Sequence, residues 1–216
     1  MKQAFVALVL AGLLAGAAAQ APHSHRHGFS GAERWARVFD DPARDEWQKP
    51  QQVVEALKLA PGMAVADIGE GTGYFTVRLA QALPKGRVYA VDLEPDMVAH
   101  IEERARQMKL ANVTAVRAAA DDPRLPAQVD RVLVVDTYHH IEAREAYFRG
   151  LAGRLAPNGE VAIIDFTRDA PFGPPASIRL PAAEVKAEMQ RAGYALTAEH
   201  GFLPHQYFLV FRQQKR

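Results

Sequence analysis

Five consecutive residues, Asp136-Thr137-Tyr138-His139-His140, gather a carboxyl, a hydroxyl, a phenol and two imidazoles at the end of an apolar run. Histidine ordinarily titrates near neutrality, so His139 or His140 can act as a general base toward a hydroxyl, with Tyr138 orienting the acceptor. The structural alternative is that one imidazole bonds the backbone of a neighbouring loop. No metal is expected from His139, His140 and Asp136, because adjacent residues rarely point at one ion and no third-ligand spacing stands out. A second group lies upstream, where Asp67-Ile68-Gly69-Glu70-Gly71-Thr72-Gly73 sets three alternate glycines after an acidic residue. Glycines reach positive φ and let a ligand approach the backbone closely. The free N–H groups of a helix starting there favour a polar or anionic group.

These residues need elements to hold them. The apolar run Met63 to Ile68 leads into the glycines; Phe75, Leu79 and Leu83 then repeat on one helical stripe, and a second apolar run ends at Asp92. That is strand, turn, helix, strand, a βαβ unit. The alternation continues: a helix from Pro95 with Met97, Ile101, Ala105 and Met108 on its face, a strand over 112–116, and a buried strand over 130–136. A helix follows with Tyr147, Leu151 and Leu155, stopping at Pro157-Asn158-Gly159, and then a fifth strand over 160–166. A loop over 171–175 and a helix from Pro181 lead to two segments, 194–199 and 206–211, spaced for an antiparallel hairpin. Upstream, residues 31–59 read as two helical pieces, one ended by Asp40-Asp41-Pro42 and one opened by Pro50, with Trp47 between them either stacking on a substrate or, the favoured reading, pinning the segment to the core. The expected fold is α/β: a Rossmann-like, doubly wound sheet of seven strands, mostly parallel with an antiparallel C-terminal hairpin. Ligands of such sheets bind outside the carboxyl ends of the strands. This selects Asp67 and the glycines, Asp92 to Glu94, Asp121 and Asp122, Asp136 to His140, and Asp165-Phe166.

The spacing argues against a dinucleotide site, since the third glycine of G-x-G-x-x-G would fall on Tyr74. Asp67-x-Gly69-x-Gly71-x-Gly73, with Asp92 closing the next strand, instead resembles the first motif of class I S-adenosylmethionine-dependent methyltransferases. The resemblance extends over roughly residues 35–212. It implies S-adenosylmethionine as cofactor, held by Asp67, Gly69, Glu70, Gly71, Thr72, Gly73, Asp92, Leu93, Asp121, Asp122 and Asp136. Asp92 would accept both ribose hydroxyls. It also implies catalytic roles for Tyr138, His139 and His140, facing the transferable methyl, and helices ahead of the first strand that cover the cofactor. The sequence departs from the family where adenine is held: Ala119 stands at the usual acidic position. Either Asp121 or Asp122 substitutes from a shifted loop, or backbone holds the base.

Lys2, an apolar stretch from Ala4 to Ala15 and the A-x-A site Ala17-Ala18-Ala19 read as a secretory signal peptide over residues 1–19, giving an exported, periplasmic protein with no stable membrane insertion after cleavage. Residues 20–30 form a linker carrying His23, His25 and His27, a spacing that can bind Cu(II), Ni(II) or Zn(II) or simply serve as a polar tether. Residues 31–216 make the single domain. With 216 residues, 49% hydrophobic and 24% charged, a substantial core is available. A net charge of +1 without a basic run gives no case for nucleic acid, and the absence of cysteine removes disulfides and thiolate chemistry. The expected partner is a small-molecule acceptor, its identity and the oligomeric state being open. Export would separate the chain from a cofactor made inside cells, so the alternative function is an exported, non-catalytic binding module on the same fold.

Overall fold

The computed structural model describes residues 31–214; the signal-peptide and histidine-linker expectations lie outside the described residues. Its centre is a sheet in the order β3-β2-β1-β4-β5-β7-β6. The strands are β1 (Ala64–Ile68), β2 (Arg87–Asp92), β3 (Val113–Arg117), β4 (Val129–Val135), β5 (Leu155–Phe166), β6 (Tyr194–His200) and β7 (Gln206–Gln213). β1 to β5 are parallel neighbours, and β7 inserts antiparallel between β5 and β6. The chain reverses direction across the sheet between β1 and β4, which opens a crevice at their carboxyl ends.

Alternation along the central strands explains the layers. In β4, Val132 and Val134 pack on one face with Tyr147, Phe148 and Leu151 of α6 (Arg144–Leu151) and with Val185 and Met189 of α7 (Ala182–Arg191). Leu133 and Val135 face the other way, toward Val53 of α3 (Pro50–Ala56) and Tyr74, Phe75 and Leu79 of α4 (Tyr74–Ala82). A strand covered on both faces reads as a continuous apolar run, as Val132 to Val135 does. α5 (Pro95–Gln107) buries Met97, Ile101 and Ala105. The described helices include none long and apolar enough to cross a membrane.

Three local expectations change. Leu155 does not end α6. The helix stops at Leu151, a 3-10 turn covers Ala152–Arg154, and Leu155 begins β5 opposite Val129. Pro157 and Asn158 (φ 66) then lie inside β5, where the register shifts between Val129 and Arg131; a proline without an N–H is tolerated at such an irregularity. Met108 caps α5 and is 42% exposed, rather than completing its buried stripe. Residues 31–59 form three helices, α1 (Ala32–Phe39), α2 (Arg44–Gln48) and α3, because Lys49 at φ 44 breaks the chain just before Pro50. The ring of Trp47 lies 5.6 Å from that of Phe166 and 5.0 Å from that of Phe172.

Candidate active site

The glycine turn is built by positive φ at all three glycines, 73°, 58° and 87° for Gly69, Gly71 and Gly73. Gly69 donates its N–H to Val91 O at 2.7 Å, tying the end of β1 to β2. A Cβ on Gly69 would stand 2.2 Å from Thr137 Oγ1, so only glycine lets the turn approach the end of β4. Gly73 caps α4, and Phe39 of α1 lies over Gly71, its Cδ2 3.3 Å from where a Cβ would be. α1 thus lies over the glycine turn through Phe39.

Asp92 organises the second strand end. Its Oδ2 accepts from Gly71 N at 3.0 Å and its Oδ1 from Glu94 N at 2.8 Å, leaving a lone pair on each oxygen for further donors. Burial raises its pKa. Asp67 is fully enclosed; its Oδ2 accepts from Thr76 Oγ1 at 2.7 Å, and burial pushes it up to about 6. Glu70 is buried with both carboxyl oxygens unpartnered, and Thr72 Oγ1 is likewise buried and unpartnered. Burial drives the Glu70 pKa well up, and the nearby carboxylates of Asp92 and Asp67 add to it. Its Oε2 lies beside the start of α4, 3.7 Å from a notional Gly73 Cβ. Leu93 presents an apolar surface, 40% exposed, next to Asp92.

The loop after β3 keeps Asp121 and Asp122 exposed. Asp122 spends an oxygen on its own turn, accepting from Arg124 N at 2.7 Å.

Asp136 leaves β4 in the left-handed region, φ 53. Its carboxyl accepts from Gln48 Nε2 at 3.3 Å and from Gln206 Nε2, and Arg44 Nη2 stands 3.6 Å away. Burial raises it to about 6 against the pull of Arg44. This network latches α2 to the carboxyl end of the sheet. Residues Tyr138–His140 form one 3-10 turn, in which successive side chains diverge by about 120°. The turn therefore separates the three residues grouped by the sequence. Tyr138 points into the core, fully buried, stacked on Phe148 at 5.3 Å and donating its hydroxyl to Glu188 Oε2 at 2.7 Å. It is a packing residue here, which corrects the acceptor-orienting role expected of it. His139 turns toward β5. Its Nδ1 lies 2.8 Å from Oδ2 and 3.0 Å from Oδ1 of Asp165, and its side chain is 3% exposed. His140 is exposed, its ring 4.1 Å from that of His139.

Asp165 is legible in the sequence only as a strand end, from its position after Val161 to Ile164; its partnership with His139 is not. Nothing in the sequence marked Arg44, Gln48 or Gln206. Among the described residues no group of three or more His, Asp or Glu is placed to hold a metal ion.

A family model described as a methyltransferase domain matches residues 65–159. The chain is 31% identical over 105 residues to (S)-coclaurine N-methyltransferase of Thalictrum flavum subsp. glaucum, covering 49% of this chain and 29% of that protein. It is 28% identical to phosphoethanolamine N-methyltransferase 1 of Arabidopsis thaliana, covering 77% of this chain and 33% of that protein. The chain thus spans about a third of the length of these curated relatives. The structure superposes on an S-adenosylmethionine-dependent methyltransferase from Aquifex aeolicus with a TM-score of 0.76 and 25% identity, over 84% of this chain and 97% of that one. The fold is the Rossmann-like methyltransferase fold.

Proposed function

We propose that this domain is an S-adenosylmethionine-dependent methyltransferase acting on a small molecule through a hydroxyl, with His139 as general base. The observation that carries the reading is the joint geometry of the Gly69–Gly73 turn and Asp92. The positive φ values, the lone pairs left on Asp92 and the closeness of β4 make a cradle suited to the cofactor.

In this reading Asp92 holds the ribose hydroxyls and the turn, with Asp67 behind it, holds the methionine end. When bound, S-adenosylmethionine supplies a methyl on sulfonium sulfur, which keeps the bonding pair as the methyl leaves. The protein's share is alignment and one proton. Asp165 fixes the imidazole through Nδ1, so Nε2 is the nitrogen left to take the acceptor's hydroxyl proton. α2 is latched to this end of the sheet through Asp136 and Gln206.

Calorimetric titration of the domain with S-adenosylmethionine and S-adenosylhomocysteine tests the reading. Binding of both, lost in Asp92→Ala and in Gly71→Val, is expected. Affinity unchanged in both variants would remove the argument. The leader pattern adds the proposal that the chain is exported to the periplasm and begins at Gln20 after cleavage; mass analysis of protein from fractionated cells decides it, and an intact Met1 in the cytoplasmic fraction would refute it.

A further inference from the structure

Four rings at the carboxyl end of β5 take no part in the chemistry above. Trp47 comes from α2, Phe166 follows Asp165, Phe172 lies in the loop before α7, and His205 precedes β7. Their centroids lie 5.0 Å apart for Trp47 and Phe172, 5.0 Å for Phe172 and His205, and 6.0 Å for Phe166 and Phe172. Rings recruited only for packing would be covered. Phe166 is covered, at 5% exposure, but Phe172 remains 40% exposed, and Trp47 and His205 are half-buried.

The exposure is held in place. Arg179, 7% exposed, donates to the carbonyls of Pro174, Ala170 and Phe172 at 2.7, 2.6 and 3.0 Å, with longer bonds to Thr167 and Arg168. A buried guanidinium committed to carbonyls fixes the loop, so Phe172 is displayed on a rigid support. Preorganisation of this kind lowers the entropy lost when a ligand binds. The other charges at this end are committed as well: Arg44 faces Asp136, and Lys49 donates to Phe202 O at 2.8 Å. Arg168 and Asp169, exposed and opposite in sign, lie on the outer loop.

The rings share the end of β5 with the partner of the proposed base, the side chains of Asp165 and Phe166 leaving that strand on opposite faces. Phe166 N donates to Asp165 Oδ1 at 2.8 Å, and the same carboxylate holds His139. We infer that Trp47, Phe166, Phe172 and His205 form the acceptor site, and that it takes a flat, uncharged aromatic compound bearing a ring hydroxyl. Stacking on the exposed ring selects a planar π-system. Arg44 is paired with Asp136, Lys49 and Arg179 are committed to backbone carbonyls, and the exposed Arg168 and Asp169 sum to zero, so a charged acceptor finds no net counter-charge there. His139 gives the hydroxyl a proton acceptor. The role of that hydroxyl rests on the methyltransferase reading; recognition of the ring does not.

The test is calorimetry on the full chain with three probes: 2-naphthol, its saturated analogue decahydro-2-naphthol, and 2-naphthoate. The expected result is that 2-naphthol binds about two- to tenfold more tightly than either of the others, the span of an aromatic contact. Phe172→Ala is expected to abolish that preference, while Phe172→Tyr keeps it and the melting temperature of both variants stays that of the parent. Equal binding of the three probes, binding indifferent to Phe172→Ala, or no binding of 2-naphthol to folded protein would each overturn the inference. The S-adenosylmethionine titration with Asp92→Ala is independent, so a ring site without cofactor binding would sink the enzyme reading and leave the ring site standing.

Discussion

The Nδ1 atom of His139 lies 2.8 Å from Oδ2 of Asp165, and the two side chains are 3% and 2% exposed. They come from the ends of adjacent parallel strands, β4 and β5. A carboxylate accepts, so Nδ1 carries the hydrogen. Asp165 also accepts from the backbone N–H of His139 at 3.3 Å and of Phe166 at 2.8 Å. One carboxylate thus sets both the imidazole and the local chain path.

Removing that carboxylate should therefore have two separable effects. Asp165→Ala is expected to cost about 1–3 kcal/mol in urea unfolding, since it orphans buried donors. A downfield imidazole N–H resonance present in the parent should vanish in both Asp165→Ala and His139→Gln. Persistence of the resonance in Asp165→Ala would show that the pair is not formed in solution.

The glycines should differ in their tolerance. Gly69→Ala meets both a left-handed backbone and Thr137, and is expected to destabilise the domain by about 2 kcal/mol or more. Gly71→Ala shares the backbone cost but meets only the edge of Phe39 at 3.3 Å, so it should lose less. Thr137→Ala in the Gly69→Ala background should recover part of the loss, because it removes two of the three contacting atoms. Thermal melts of the three variants decide the order, and equal losses at the two glycines would contradict it.

Three buried acids give the ligand-free domain a pH dependence of definite sign. Asp67 and Asp136 are each raised from 3.8 to about 6, and Glu70 is raised well above 4.5, burial being the largest cause in each case. The native state then binds these protons more tightly than the unfolded chain. Their contribution is fully present below about pH 4 and is lost as pH rises through about 6 and beyond. Urea midpoints should fall between about pH 5 and about pH 8. Glu70→Gln, which keeps the shape without ionising, should flatten that fall and raise the midpoint at the upper end. A parent curve that rises across the window would reverse the assignment.

Much of this architecture was legible because it follows from patterns a chain cannot hide. Val132 to Val135 had to be a strand covered on both faces, and the alternate glycines before Tyr74 had to be a turn opening a helix. The same patterns located Asp67 and Asp92. Side-chain direction within a 3-10 turn was not legible: Tyr138, His139 and His140 are contiguous, yet one faces the α6–α7 layer, one faces β5 and one is exposed. Partners brought from far along the chain were also hidden. Gln48 and Gln206 are 158 residues apart and meet at 3.0 Å, and only the closed sheet places both beside Asp136. Leu155 fitted a helical stripe by period alone, and its pairing with Val129 was decided by tertiary contact.

Tyr138 provides the last prediction, because its structural and chemical roles part cleanly. Its hydroxyl donates to Glu188, which also accepts from Arg144 Nε at 2.7 Å and Nη2 at 2.8 Å. Against the upward push of burial, the hydrogen bonds from Arg144 and Tyr138 hold the Glu188 carboxyl below its ordinary pKa. Tyr138→Phe removes one donor from a carboxylate that retains Arg144, so a loss of about 1 kcal/mol in stability is expected. Glu188→Ala leaves both the tyrosine hydroxyl and the guanidinium without their acceptor and should cost more. Neither change touches the His139–Asp165 pair, so the imidazole N–H resonance and the affinities for S-adenosylmethionine and 2-naphthol should remain those of the parent. A Tyr138→Phe variant with unchanged stability and weakened 2-naphthol binding would return this residue to the acceptor site.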